Sequence, residues 1–251
     1  MKKTHAAVTG HGSPLSKYQD VVVGSRSFLF FLYFEWCMLL GIIPGAAGFV
    51  LRKIFWSRLF GSCGTGVNFG AHSIIRHPGK IHLGDNVVIS EGCILDGRGE
   101  EGSESIRLGE SVILSNNVTL SCKNGSIRIG KNTGINTGAI VQSTNQCPVV
   151  IGEDGIIGQM SLVVGGGNYN TDRLDVLIRE QGIKDDGGVI IEENVWIGAN
   201  VTVLGGVTVE KGSILAAASV MTKSVPAYSV CRGVPAVVVK NRQDTNEEAG
   251  H

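Results

Sequence analysis

The sequence predicts an all-β solenoid, a parallel β-helix of triangular coils, with an apolar helical extension in front of it. Three observations predict it. From residue 83 to 221 a large aliphatic side chain returns every six positions. It does so in the triads Leu83/Ile89/Leu95, Leu108/Leu114/Leu120, Ile129/Ile135/Val141, Ile151/Ile157/Val163, Ile191/Ile197/Val203 and Val209/Leu215/Met221. A small or β-branched residue usually stands two positions earlier, as at Val87, Cys93, Ala139, Gly155, Ser161 and Ser219. Glycine directly follows six of the eighteen, and Asn and Asp gather in the same short stretches.

A period of six fits neither a helix, with apolar residues three and four apart, nor a two-sided strand, which alternates. It fits a short strand and a corner, repeated, with one large side chain turned inward per side. Three sides close a coil of eighteen residues, and stacked coils bury a continuous ladder. Gly84-Asp85-Asn86, Ser115-Asn116-Asn117 and Gly130-Lys131-Asn132 suit corners of positive φ. The expectation is six full coils, preceded by an incomplete one around residues 67–74.

Composition is consistent with this. The 36 glycines among 251 residues are explained by corners, and Lys plus Arg balances Asp plus Glu at 22 each, which gives nucleic acid no electrostatic footprint. The six cysteines show no paired metal spacing and no CxxC, and fit a reduced, cytoplasmic compartment; Cys93 takes an inward slot as a small hydrophobe.

In chain order, residues 1–26 read as a loose polar tail; His5 and His11 there are not expected to hold a metal. Residues 27–62 are an apolar helical segment. The run Phe28-Leu29-Phe30-Phe31-Leu32-Tyr33-Phe34 continues to Ile43 with one charge, Glu35, and ends at Pro44. Sixteen residues fall short of the ~20 that cross a bilayer. Three readings stay open for residues 28–51: association with a membrane surface, with Arg52, Lys53 and Arg58 meeting headgroups; a helical hairpin packed on the open first coil or on a neighbouring subunit; and a span. Residues 63–224 are the β-helix. His72, His77 and His82, five apart, fall on different positions of a six-residue side and are not expected to converge on a metal. A loop at residues 164–188, too long for an ordinary corner, is the expected functional insertion. Residues 225–251 form a C-terminal extension, frayed from residue 243.

With these residues in view, the chain resembles the hexapeptide-repeat acyltransferases, the left-handed β-helix superfamily, over residues 63–242. The resemblance is strongest in Asn194-Val195-Trp196-Ile197-Gly198-Ala199-Asn200-Val201, in residues 217–223 and in Gly233-Val234-Pro235-Ala236. Within the superfamily it is similar to the O-acetyltransferases of sugars and cell-surface polysaccharides. The resemblance implies a left-handed coil, a homotrimer with active sites between neighbouring solenoids, and acetyl-CoA as acyl donor to a sugar or polysaccharide hydroxyl. It places Ala199 and Ala217 on the pantetheine arm, Thr222 and Lys223 towards the nucleotide, and Lys240 as a point charge for a CoA phosphate. Trp196 is expected to point outward as coil packing. From the residues themselves, no metal and no nucleic-acid partner is expected, and the cysteines with the apolar segment suggest a location in the cytoplasm, with the inner face of the membrane within reach.

The chain departs from that pattern twice. Relatives read Gly-Gly-Gly-His-aromatic where this chain has Gly165-Gly166-Gly167-Asn168-Tyr169, so Asn168 holds the position of the general base. An amide cannot take a proton from a hydroxyl near neutral pH, and losing a general base costs ~10²–10⁴ in rate. Asp172, Arg173, Asp175 and Glu180 surround that position in sequence, and a carboxylate among them is the candidate to substitute as base. Relatives also read Gly-Ala-Gly-Ser where this chain has Ala216-Ala217-Ala218-Ser219, adding two methyl groups. Two alternatives to an active transferase follow: a non-catalytic trimeric scaffold that binds a sugar, nucleotide or protein, and an engineered replacement of the histidine.

Overall fold

The structure, a computed structural model, describes residues 13–99 and 104–244. His5, His11 and the last residues of the chain lie outside them. The β-helix is left-handed, and three sheets of seven, nine and seven strands, parallel except for the last pair of the nine-stranded one, form its three sides. Sheets 1, 2 and 3 are numbered here in the order in which the chain visits them in each coil. Each strand pairs with its counterpart one coil on, as Ile129 with Ile151 on sheet 1, Ile135 with Ile157 on sheet 2 and Val141 with Val163 on sheet 3. Like residues therefore stack, and all eighteen ladder side chains are at most 3% exposed.

Seven coils are complete, one more than expected. Ser62–Cys63, Asn68–Phe69 and Ile74–Arg76 make a full first coil, pairing with the next on all three sheets. Its ladder keeps the spacing of six through Cys63, Phe69 and Ile75, but with cysteine and phenylalanine in place of aliphatics. The reason lies above it. Phe69 faces helices instead of another coil, stacking on Phe60 at 5.4 Å and tilting against Trp56 at 5.5 Å.

Each corner has its own chemistry. Between sheets 2 and 3 every coil places one residue at positive φ: His72, Gly92, Asn117, Gly138, Met160, Asn200 and Ala218. The corner between sheets 3 and 1 takes all the insertions, including residues 166–188 after the fifth coil. Buried hydroxyls tie neighbouring coils together: Thr133 Oγ1 donates to the Gly152 carbonyl at 2.8 Å and Ser161 Oγ to the Gly198 carbonyl at 2.9 Å. Among the described residues no buried side-chain N or O atom lacks a hydrogen bond.

The N-terminal segment covers the first coil. Helix α1 (Pro14–Tyr18) runs into a π-helical turn (Gln19–Val23), followed by α2 (Phe28–Gly41), α3 (Gly45–Phe55) and a 3-10 turn (Trp56–Arg58). The expected loose tail does not hold for residues 13–23. Val23 is buried, and the His77 N–H donates to the Val22 carbonyl at 2.9 Å, because the open side of the first coil needs both apolar cover and hydrogen-bond partners. Arg52, which only the membrane-surface reading would set against headgroups, is buried too. Its guanidinium donates to the carbonyls of Phe69 (2.9 Å), Ile43 (2.7 Å) and Leu40 (3.3 Å), tying α3 to the coil and to the end of α2. Trp56 is fully buried and its Nε1–H donates to the Cys37 carbonyl. No single helix among the described residues is long and apolar enough to cross a membrane. At the other end, Ser229–Gly233 extends sheet 2 beside Ile214–Leu215, and Ala236–Asn241 folds back antiparallel on it.

Candidate active site

The fifth coil's third strand, Leu162–Gly165, ends in three glycines that let the chain leave the solenoid. At Gly166, with φ 71°, a Cβ would stand 2.0 Å from the Thr144 carbonyl, so no larger residue fits. Asn168 follows at the root of the loop. There the outgoing and returning segments lie antiparallel: Lys184 N–H donates to the Asn168 carbonyl (2.8 Å), Asn170 N–H to the Gly182 carbonyl (3.0 Å), and Tyr169 bridges Ile183. Gln181 braces the outer half, its amide N–H donating to the carbonyls of Arg173 and Val176. At the tip Leu174 is 99% exposed, with Leu177 and Ile178 beside it also exposed.

Of the charged groups expected around Asn168, none is bonded to it. Arg173 Nη2 turns back on Asp175 Oδ2 at 2.5 Å, and the guanidinium holds that carboxyl below the usual range; both are exposed. Asp172 and Glu180 are exposed on the outer part of the loop. The carboxylate that reaches Asn168 is Asp186, which was not among the expected residues. Its Oδ2 accepts from Asn168 Nδ2 at 3.2 Å.

The expected cofactor residues fall into three places. Ala199 and Ala217 sit one coil apart on the corner between sheets 2 and 3, where Ala218 N–H donates to the Ala199 carbonyl at 2.9 Å. Thr222 and Lys223 are exposed on the corner between sheets 3 and 1, directly after Val220–Met221. That corner also carries Asn168, two coils away, roughly 10 Å along the axis at the spacing of neighbouring strands. The last three strands of sheet 3, Leu162–Gly165, Thr202–Val203 and Val220–Met221, run side by side between the two corners. Lys240 is not beside them: it lies on the terminal hairpin at the edge of sheet 2, opposite Val230. Trp196 points outward from sheet 2 and is 53% exposed. His72 lies on the corner between sheets 2 and 3, His77 on the corner between sheets 3 and 1, and His82 on sheet 1. Cys93 is buried as expected, and burial pushes its thiol up to about 11, far from a reactive thiolate.

Two family models match the chain, one at each end of the solenoid: a hexapeptide repeat of succinyl-transferase over residues 62–96 and the bacterial transferase hexapeptide over residues 188–223. A probable acetyltransferase of Mycobacterium tuberculosis is 27% identical over 169 residues, 65% of this chain and 55% of the relative. A 2,3,4,5-tetrahydropyridine-2,6-dicarboxylate N-acetyltransferase of Staphylococcus aureus is 51% identical over 63 residues, 24% of this chain and 26% of the relative. The chain thus spans about half the length of the first of these relatives and about a quarter of the second. A maltose O-acetyltransferase from Clostridium difficile has a TM-score of 0.39 at 21% identity, with 96% of this chain and 97% of that one covered. A mutant of AntD, an N-acyltransferase from Bacillus cereus in complex with dTDP and coenzyme A, has a TM-score of 0.45 at 22% identity, covering 83% and 95%. The ladder, the corners and the two matches define a left-handed hexapeptide-repeat solenoid. The repeats at both of its ends match the hexapeptide-repeat models of transferases.

Proposed function

We propose that the chain is an acyltransferase that moves an acetyl group from acetyl-CoA to a hydroxyl of a sugar or polysaccharide precursor. The observation that carries this reading is one face of sheet 3: the long loop with Asn168 leaves its strand Leu162–Gly165, and the corner residues Ala199 and Ala217 lead into the next two strands, Thr202–Val203 and Val220–Met221. That face fits a CoA arm. Ala199 and Ala217 are small side chains along the corner, and Lys223, exposed beyond it, offers a cation to a phosphate. In the reaction the acceptor oxygen forms a bond to the thioester carbonyl carbon, the C–S bond breaks, and the hydroxyl proton leaves with the thiol. Asn168 orients the acceptor, its Oδ1 being the half of the amide that accepts a hydrogen bond.

The working unit is a homotrimer. Supporting this, sheets 2 and 3 turn Ile113, Ile156, Trp196, Ile74 and Ile140 to the outside, each 41–53% exposed, and the loop tip projects Leu174 with no cover of its own. The location is the cytoplasm at the inner face of the membrane. This is supported by six unpaired cysteines and by α2, which exposes Phe28, Leu29, Leu32, Trp36 and Leu39 beside the exposed cations Lys53 and Arg58.

Thiol release from acetyl-CoA, measured with a panel of sugars on this chain and on Asn168→His, tests the transferase reading. We expect turnover to rise ~10²–10⁴-fold in the histidine form. Absence of acetyl-CoA binding by calorimetry in both forms overturns the reading. Turnover only in the histidine form favours the scaffold alternative for the chain as it stands, for which the amide at position 168 is the motivating observation.

A further inference from the structure

We infer that Asp186 is the positioning residue of the long loop: one carboxylate that closes both ends of the loop and sets the side chain at position 168. It stands eighteen residues from Asn168 in sequence, on the returning arm. Oδ1 and Oδ2 both accept from the Gly166 N–H at 3.0 Å, where the chain departs. Oδ1 also accepts from the Gly188 N–H at 3.0 Å, where the chain rejoins the solenoid, and Oδ2 from Asn168 Nδ2. Three N–H donors converge on the carboxylate, the Gly166 N–H shared between its two oxygens, so Asp186 is tied to both ends of the loop and to residue 168. Its work is to orient.

The next coil is shaped for it. A Cβ on Gly205 would stand 1.9 Å from Asp186 Oδ2, so the carboxylate occupies the space that glycine leaves. Gly206 N–H, beside it, donates to the Gly188 carbonyl at 2.6 Å. The sequence Asp186-Gly187-Gly188 and the pair Gly205-Gly206 thus form one clasp across two coils. Pinned through Nδ2, the Asn168 amide turns its oxygen away from the carboxylate. An imidazole at position 168 would meet the same carboxylate, the arrangement that fixes a ring tautomer and stabilises its charged form.

The catalytic part of this inference rests on the acyl-transfer reading, and the test separates the two. Cleavage by trypsin after Lys184, at the root of the loop, needs the clasp to open and needs no activity. In the full-length chain we expect Asp186→Asn to accelerate that cut at least tenfold. Gly205→Ala, which displaces the carboxylate without removing its charge, is expected to do the same. Unchanged rates in both variants overturn the clasp. For orientation, the acid limb of thiol release is compared between Asn168→His and the double variant Asn168→His with Asp186→Asn. A carboxylate beside imidazolium raises its pKa and a general base works only when neutral. Removing the charge is thus expected to move the limb to lower pH by about one unit. A limb that does not move overturns the orienting role. If calorimetry shows no acetyl-CoA binding, the transferase reading falls while the proteolysis result still decides the clasp.

Discussion

Ala218 holds a backbone conformation that its counterparts give to other residues. Its φ is 60°, on the corner where four other coils use Gly92, Asn117, Gly138 and Asn200. A left-handed alanine costs about 1–2 kcal/mol against the strain-free state, and replacing it by glycine returns some 0.4–1 kcal/mol to the unfolded chain as entropy. The difference favours glycine. Ala218→Gly is expected to stabilise the protein by about 0.5–1 kcal/mol, read as a higher midpoint in guanidinium unfolding, and an unchanged or lower midpoint removes the strain argument. The place of Asn168 was legible because the glycine run and the long insertion mark the loop locally. Asp186 was not, since its partners Gly166 and Gly188 are set by how the loop closes, which no spacing announces. The separation of Lys240 from Thr222 and Lys223 was hidden likewise, because the terminal hairpin joins a different sheet.

The coils were legible as elements because each repeats its neighbour, and one buried position every six residues survives any insertion at the corner between sheets 3 and 1. The first coil escaped because it meets helices and carries Cys63 and Phe69, and the helical turn at Gln19–Val23 because its burial rests on little more than Gln19 and Val23. That turn depends on His77. The His77 backbone N–H holds Val22, and the ring, with its proton on Nε2, donates to the Asp20 carbonyl at 3.0 Å. Burial pushes the imidazole below its ordinary value of 6.5; Lys80 and Arg98 add to this, while the bond to Asp20 and the charge of Asp96 oppose it. Below pH 6.5 the unfolded chain binds a proton that the folded ring resists. The stability His77 contributes is thus present above that pH and lost as pH falls through the folded value. Acidification is expected to undock residues 13–23 first, seen as faster hydrogen exchange there than in the coils, and His77→Gln is expected to flatten that dependence. Equal pH dependence in the variant would show that another group governs the arm.

At the scale of the molecule, the solenoid separates two jobs along its axis. The helical cap lies against the first coil, whereas the loop and the alanine corner occupy the fifth to seventh, roughly 20–30 Å away at the spacing of successive strands. A trimer that buries the outward isoleucines of sheets 2 and 3 would set three caps at one end, each with its α2 face. On that face Leu29 is 79% and Trp36 47% exposed. Apolar side chains of this size contribute about 1.5–3 kcal/mol each when fully taken out of water, and three copies acting together multiply the effect. Lys53 and Arg58 add attraction that salt screens and anionic lipid strengthens. The whole chain is therefore expected to float with phosphatidylcholine vesicles and more completely when phosphatidylserine is included. Leu29→Glu with Trp36→Glu should leave it at the bottom of the gradient while its mass in solution remains that of three 26.5 kDa chains. Flotation that is absent in the native chain, or equal in the variant, would assign the α2 face to protein contacts. A variant that stays off the membrane but falls apart into single chains would place that face in the trimer interface.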